Sequence, residues 1–207
     1  ENNLNNSILY IAKNDKEIFA LEEKLQWFFP SIKILKYRSW DQIPYDNVSP
    51  SKEIQSERIE TLYNLINNKS KKILLSSVNA ITQKTLNKDF IKNNFINISD
   101  NKEVNYSDLI NNLINLGFTK TSVVREKSEF AIRGSIIDIF LVNYENPIRI
   151  DFINNKIDSI FEFDFISQKR LRKIKDQILI NPSSELLLNN TSLNIFRKNY
   201  RKIFNDY

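Results

Sequence analysis

The sequence predicts an α/β chain in two parts: a parallel sheet flanked by helices, then a small α+β domain with an antiparallel sheet. Three observations carry this reading. Through residue 99, short apolar runs alternate with stretches of helical period, the order in which a parallel sheet acquires its flanking helices. Beyond residue 101 apolar runs follow one another directly and alternate with a period of two, as strands covered on one face do. Asn154 and Asn155 divide two of those runs, and paired asparagines tolerate the positive φ angles of a tight hairpin turn.

Ser7–Ala12, SILYIA, is a short apolar run suited to a buried strand. Asp15 then offers an N-cap, Ile18, Leu21, Leu25 and Phe28 recur at helical spacing, and Pro30 marks the stop. A second strand, IKILKY, leads through RSWDQIPYDNVSP to another helix. There Ser49 is placed to cap and Pro50 to occupy the first helical position, where its missing N–H costs nothing. Ile54, Leu62 and either Leu65 or Ile66 share one side of this helix with Arg58, which therefore borders the buried stripe or pairs beneath it. KKILLSSV reads as a third strand, NAITQKTLNKDFI as a short helix and FINIS as a fourth strand. In the second part, NYSDLINNLINLGF aligns Leu109, Leu113 and Leu116 and ends at Gly117, the usual glycine position past a helix C-terminus. SEFAIRGSIIDIF, PIRIDFI and KIDSIFEFDF follow as strands, with DQILINP as a fourth. In the tail, Leu193, Phe196, Tyr200 and Phe204 form one helical stripe that is expected to pack back on other sequence.

Composition excludes more than it suggests. None of the 207 residues is cysteine or histidine, which removes disulfides, thiolate or imidazole metal sites, cysteine nucleophiles and any triad with a histidine base. No catalytic and no metal-binding residue is assigned. There are two glycines, and neither G-x-G-x-x-G nor G-x-x-x-x-G-K-[ST] occurs, so the chain lacks the clustered glycines of a phosphate cradle. No cofactor is therefore expected in this segment. The strand carboxylates Asp138, Asp151, Asp158 and Asp164 invite a Mg²⁺-dependent nuclease, but none is followed two positions later by the lysine such sites commonly use. No apolar run approaches the roughly 18 residues of a membrane span, and no basic stretch followed by a long apolar one signals secretion. The chain begins with Glu rather than Met and is expected to be a fragment of a longer protein. Its net charge of +5 weakly favours acidic partners. One local cluster, KRLRKIK at Lys169–Lys175, suits a solvated hairpin edge, and as the sharper alternative a nucleic-acid-binding module. The abundance of Asn, Ile and Lys matches the drift of an AT-rich genome, which raises the charge without a functional cause.

Alternation sorts the strand residues by face. Ile148, Ile150 and Phe152 point to the core, which leaves Arg149, Asp151 and Ile153 together on the other side. An exposed arginine beside an exposed isoleucine on a rigid sheet suits a binding patch; an ordinary outer face with an Arg–Asp neighbour pair is the alternative. In EFAIRGSIIDIF, Phe130 and Ile132 face one way and Ala131 and Arg133 the other, until the period is lost after Gly134. A glycine within a strand often marks a bulge or a close backbone approach. Gly134 is accordingly predicted to be a strand bulge that turns Arg133 outward, with tight packing against the helix as the alternative.

Two segments together, SWDQIPYDNVSPSKEIQSERIETLYNLI at Ser39–Ile66 and the strand region at Ser128–Leu171, resemble a known family. In order and spacing they are similar to the N-terminal UvrB-homology region of the bacterial transcription-repair coupling factors, the Mfd family. The likeness extends to LGF ahead of the Gly134 strand and to INPSSE after the hairpin. It implies a degenerate ATPase-like domain 1a without a phosphate loop at residues 1–101, a UvrA-docking domain 2 at 102–183, and the start of domain 1b at 184–207. In UvrB the corresponding first domain carries a working phosphate loop and a long DNA-gripping hairpin. Here IPYDNVSP runs directly into the helix, with no room for such a hairpin, so the likeness is to Mfd rather than UvrB.

The resemblance also implies a site. The UvrA-contacting arginines of the family fall at Arg133 and Arg149, and an aromatic contact falls at Ile153, where this sequence departs from the pattern. Ile153 keeps an apolar group but loses ring area and any stacking with arginine. Arg149→Ala is expected to weaken docking with little effect on folding. ATP and Mg²⁺ are implied only for a C-terminal motor absent here, and RNA polymerase and DNA are implied partners of other domains. Domain 2 is implied to be masked until polymerase is engaged. The resemblance implies no membrane partner and a setting in the bacterial cytoplasm. Trp40 and the Pro44–Tyr45 segment are expected to pack at the first domain's sheet edge rather than hold a ligand.

Overall fold

A computed structural model describes residues 7–42, 47–68, 70–187 and 190–203. The chain divides into two compact units, Glu1–Phe95 and Ile96–Tyr207. Pro44, Tyr45 and Phe204 lie outside the described residues.

The first unit runs β1 (Ile8–Ala12), α1 (Asp15–Phe28), β2 (Lys33–Tyr37), α2 (Lys52–Asn67), β3 (Lys72–Ser77), α3 (Val78–Thr82) and α4 (Lys88–Asn93). Its strands pair in parallel in the order β1-β3-β2, so the βαβ pattern read from the sequence holds. Ile18 of α1 packs with Ala12, Ile73 and Leu75, and Leu21 and Leu25 border this cluster. The apolar stripe of α1 ends there, since Phe28 is 64% exposed. Asn14, not Asp15, caps α1, accepting the Glu17 N–H at 3.1 Å. Asp15 turns instead to Ser39, accepting from its N–H at 3.2 Å and its hydroxyl at 2.9 Å. The cap of α2 is Ser51 rather than Ser49, and Pro50 stands before the helix with its carbonyl accepting from the Gln55 side chain at 2.7 Å. NAITQKTLNKDFI splits into two short helices because Asn87 supplies a second cap, accepting the Phe90 N–H at 2.6 Å.

Arg58 settles the ambiguity of the α2 stripe. It is fully buried and pairs beneath the apolar face, donating to the Arg38 carbonyl at 2.6 Å, to the Tyr37 hydroxyl at 2.6 Å and to Gln83 Oε1 at 2.9 Å. Its guanidinium lies 4.2 Å from the Tyr37 ring centre and 5.1 Å from that of Trp40. Trp40 thus packs against a buried cation, where the ring's negative face offsets part of the cost of desolvating the charge.

The second unit runs β4 (Ile96–Ile98), α5 (Tyr106–Asn115), β5 (Thr119–Thr121), β6 (Glu129–Arg133), β7 (Ile136–Ile139), β8 (Ile148–Ile153), β9 (Lys156–Phe163), β10 (Arg170–Lys173), β11 (Ile178–Ile180) and α6 (Asn190–Ile203). A six-stranded sheet has the order β10-β9-β8-β7-β6-β5, antiparallel except for the parallel β5–β6 pair. Two expected strands go elsewhere. β4 does not extend the parallel sheet and β11 does not join the large one; they pair with each other, Ile98 against Ile178 and Ile96 against Ile180. Both are too short to stand alone, and paired they set Ile98, Ile178 and Ile180 in the core with Leu109 and Leu113 of α5 and one face of the large sheet. α5 ends in paired bonds from Gly117 N–H to the Ile114 carbonyl and from Phe118 N–H to the Leu113 carbonyl, each 3.0 Å. This cap needs the positive φ of Gly117, +86°, and a side chain there would meet Ser183 Oγ at 3.0 Å. Along α6, Phe196 and Tyr200 remain 63% and 51% exposed, their rings 5.8 Å apart. No helix among the described residues is long and apolar enough to cross a membrane.

Candidate partner-docking site

Sheet register determines what each face offers. Cross-strand partners share a face, and the pairings Ala131–Asp138, Asp138–Arg149 and Arg149–Phe161 form one row across β6 to β9. The next row is Arg133, Ile136, Asp151 and Ser159. Arg133 and Arg149 therefore lie on the same face in neighbouring rows, while Phe130, Ile137, Ile148, Ile150 and Phe152 fill the core on the other. The burial of β8 alternates as its sequence implies, and Ile153 at its end is 57% exposed. Asn154 and Asn155 have φ of +48° and +59°, the paired positive values of the tight turn expected there.

Gly134 corrects the sequence reading. EFAIRGSIIDIF is not one strand with a bulge but a hairpin, with Arg133 paired to Ile136 and no register shift between β6 and β7. Gly134 begins the two-residue turn at φ +60°, and Ser135 is not in the positive-φ region, the combination for which a II′ turn selects glycine. The packing alternative also fails, because a side chain at 134 would meet nothing within 4 Å. Glycine is there for its backbone. The Tyr106 hydroxyl fastens the turn by donating to the Gly134 carbonyl at 2.6 Å, and its ring meets Phe152 edge-on at 5.2 Å. Burial pushes the Tyr106 phenol above its ordinary value.

Arg149 is held far more tightly than an exposed binding arginine. Its side chain is 11% exposed and grips the fully buried Asp138 in a fork, Nε to Oδ1 at 2.7 Å and Nη2 to Oδ2 at 2.9 Å. The guanidinium lies 4.3 Å from the ring centre of buried Phe163. Hydrogen bonding to Asp138 pushes its pKa further above the ordinary arginine value, against the opposing effect of burial. Arg133 is different. It is 39% exposed, lies 3.9 Å from Asp138 through Nε, and donates from Nη2 to Gln168 Oε1 at 3.0 Å.

Gln168 joins the two arginines. Its Oε1 also accepts from Arg149 Nη2 at 3.2 Å, and its backbone carbonyl accepts from Arg149 Nη1 at 3.2 Å. It sits on the compact turn between β9 and β10, pinned where Asp164 accepts the Ser167 N–H at 2.6 Å and the Gln168 N–H bonds the Asp164 carbonyl at 2.7 Å. Phe165 of this turn packs on a small buried cluster of Val124, Ala131 and Phe140. Sequence reasoning missed Gln168, since no local pattern signals a contact spanning 19 and 35 residues. It weighed Asp138 only as a Mg²⁺-holding carboxylate of a nuclease, although one carboxylate set among isoleucines is the mark of a buried ion pair.

The KRLRKIK cluster forms the edge strand β10 and its flanks. Three of its cations face carboxylates: Arg170 to Asp151 at 2.7 Å, Arg172 to Glu162 at 2.5 Å and Lys173 to Asp100 at 2.9 Å. That pairing reduces the uncompensated charge it offers a polyanion. At the other end of the sheet, Ile153 and Lys156 border an open groove of about 540 Å³ that reaches Glu103.

Residues 96–186, which include every residue of the site, match the family described as UvrB interaction domain. The chain is 33% identical over 202 residues to a transcription-repair-coupling factor of Rickettsia prowazekii and 30% identical over 202 residues to that of Rickettsia bellii, in each case 98% of this chain and 18% of the relative. It is 27% identical over 197 residues to that of Escherichia coli, 95% of this chain and 17% of the relative. The chain thus spans less than a fifth of the length of the curated relatives it matches. The chain belongs to the transcription-repair-coupling factor family, as its N-terminal region, and carries a UvrB interaction domain at residues 96–186.

Proposed function

We propose that this chain is the N-terminal module of a transcription-repair coupling factor that recruits UvrA to stalled RNA polymerase in transcription-coupled nucleotide excision repair. The observation that carries the proposal is Arg133: partly exposed on a rigid sheet, with a neutral acceptor holding its Nη2, on the same face as Arg149 in the interaction domain. Its remaining N–H groups donate to carboxylates or carbonyls of UvrA, in bonds strengthened by the arginine's charge. Ile153 adds an apolar contact. Arg149 contributes from beneath, by fixing Asp138 and the turn that bears Gln168.

In this reading residues 1–101 form the degenerate domain 1a, residues 102–183 form the docking domain 2, and residues 184–207 begin domain 1b. The segment has no enzymatic activity of its own. ATP and Mg²⁺ serve a translocating motor elsewhere in the intact protein, and RNA polymerase and DNA are bound by its other domains, in the cytoplasm. The first unit supports this division of labour. β1 connects to α1 through Lys13 and Asn14 alone, with Asn14 committed as the helix cap, so no backbone remains there for a phosphate-binding loop.

Titration of purified UvrA with the chain tests the proposal. Arg133→Glu is expected to weaken binding at least tenfold, the effect of losing about 1.4 kcal/mol, and Ile153→Ala to weaken it less, both without loss of fold. No association at micromolar concentration, or equal affinity for parent and Arg133→Glu, overturns it.

A further inference from the structure

We infer that Gln168 is a positioning and specificity residue of the docking face: it aims Arg133 at the partner while adding no charge of its own to offset that of Arg133. The inference rests on the function proposed above and concerns a residue that neither the sequence reading nor the family match assigns.

The backbone of Gln168 is in the left-handed region at φ +61°, a conformation costly for any residue with a β-carbon and least so for glycine or asparagine. A turn that needed only its shape is better served by either of those. What glutamine adds is reach. Oε1 is placed between the two guanidinium groups, 3.0 Å from Arg133 Nη2 and 3.2 Å from Arg149 Nη2, while Nε2 donates to the Phe165 carbonyl at 2.8 Å. The donation fixes which end of the amide faces the arginines. Each polar atom of the side chain is thus used, and the bond to Arg133 orients a long side chain whose free rotation otherwise costs entropy on binding.

The second consideration is charge. The two guanidinium cations share one buried carboxylate: Asp138 is taken by the fork from Arg149, Arg133 approaches it only to 3.9 Å, and the neighbouring Asp151 is paired with Arg170 at 2.7 Å. A glutamate at 168 has the same length and places a second anion at the same point, 3.0 Å from Arg133. The cluster then becomes neutral and Arg133 is satisfied within its own chain. A neutral acceptor is the arrangement that holds Arg133 in place and leaves its charge to a carboxylate or a row of carbonyls on the partner.

The test separates charge from structure. Gln168→Glu trades the Nε2 bond to the Phe165 carbonyl for an ion pair with Arg133, and is expected to change the stability of the second unit little, yet to weaken UvrA binding about tenfold and flatten its salt dependence. Gln168→Gly relieves the backbone but frees Arg133, and is expected to weaken binding severalfold with the parent's salt dependence. A residue that merely holds the turn moves binding and stability together, and that result overturns the inference. So does parent affinity in Gln168→Glu while Arg133→Glu abolishes binding, an outcome that leaves the proposed function standing. Failure of the parent chain to bind UvrA removes both.

Discussion

Replacing Arg149 by alanine is a test of folding before it is a test of docking. The sequence reading expects little effect on the fold; the structure reverses that expectation. Asp138 is fully buried, and both of its oxygens accept from Arg149, at 2.7 and 2.9 Å. Removing the arginine strands a carboxylate in the interior. The loss is about 3–5 kcal/mol, the usual cost of breaking a buried pair from one side. Arg133→Ala, at a side chain 39% exposed with one neutral hydrogen bond and a 3.9 Å approach to Asp138, costs about 0–1 kcal/mol. The assay must look at the right unit. Both tryptophans, Trp27 and Trp40, lie in the first unit, so their fluorescence does not report on the second. Native-state hydrogen exchange at the amides of β7 and β8 does. Adding Asp138→Asn to Arg149→Ala removes the stranded charge and recovers much of the loss, because the penalty belongs to the unpaired anion and not to the missing contact. An Arg149→Ala chain exchanging within about 1 kcal/mol of the parent refutes the reasoning. It also follows that reduced UvrA binding by Arg149→Ala is interpretable only beside its stability, whereas Arg133 is a clean probe.

Three further outcomes are expected. Gly134→Ala costs about 1–2 kcal/mol through its φ of +60° alone, since no neighbour lies within 4 Å, and Gly134→Asn costs less; equal urea midpoints for the two variants contradict the turn assignment. Asp164 is held below the ordinary carboxylate range, chiefly by the backbone hydrogen bond from Ser167. With its folded pKa below the unfolded value of about 3.9, its contribution is fully present above that value and fades as pH falls through the folded one. Protection of the Gln168 amide, corrected for intrinsic rates, is therefore flat from neutral pH to about pH 5 and drops with further acid, and Asp164→Asn lowers the neutral-pH plateau and removes the acid-dependent step. Removing Arg170 and Lys173 together leaves retention on duplex DNA unchanged at low salt, since both cations are already paired, with Asp151 and Asp100; a marked loss of retention revives the nucleic-acid reading.

What was legible in the sequence follows from the range of the interactions involved. Periodicity is a local property, and it was enough to place β1 to β3 and their helices, the core face of β8 and the Asn154–Asn155 hairpin. Composition excluded whole classes of chemistry for the same reason, because an absent histidine or cysteine is absent in every fold. Some errors were local competitions between near-equal candidates, such as Asn14 against Asp15 and Ser51 against Ser49 as caps, and others were long-range, such as the pairing of β4 with β11. In EFAIRGSIIDIF the lost period at Gly134 was seen, but a bulge and a two-residue turn disturb the pattern alike.

Alone, then, the sequence determined the two-part α/β architecture, the side of β8 on which Arg149 and Ile153 lie, and the family. Only the tertiary structure decided that Arg149 is a buried clasp on Asp138, that Arg133 is the more exposed of the two arginines, and that Gln168 stands between them. These roles depend on strand register and on a turn folding back over the sheet, which bring together residues 11, 19 and 35 positions apart. Pairing at such separations is set by the packing of the whole sheet, and no window of the sequence contains it.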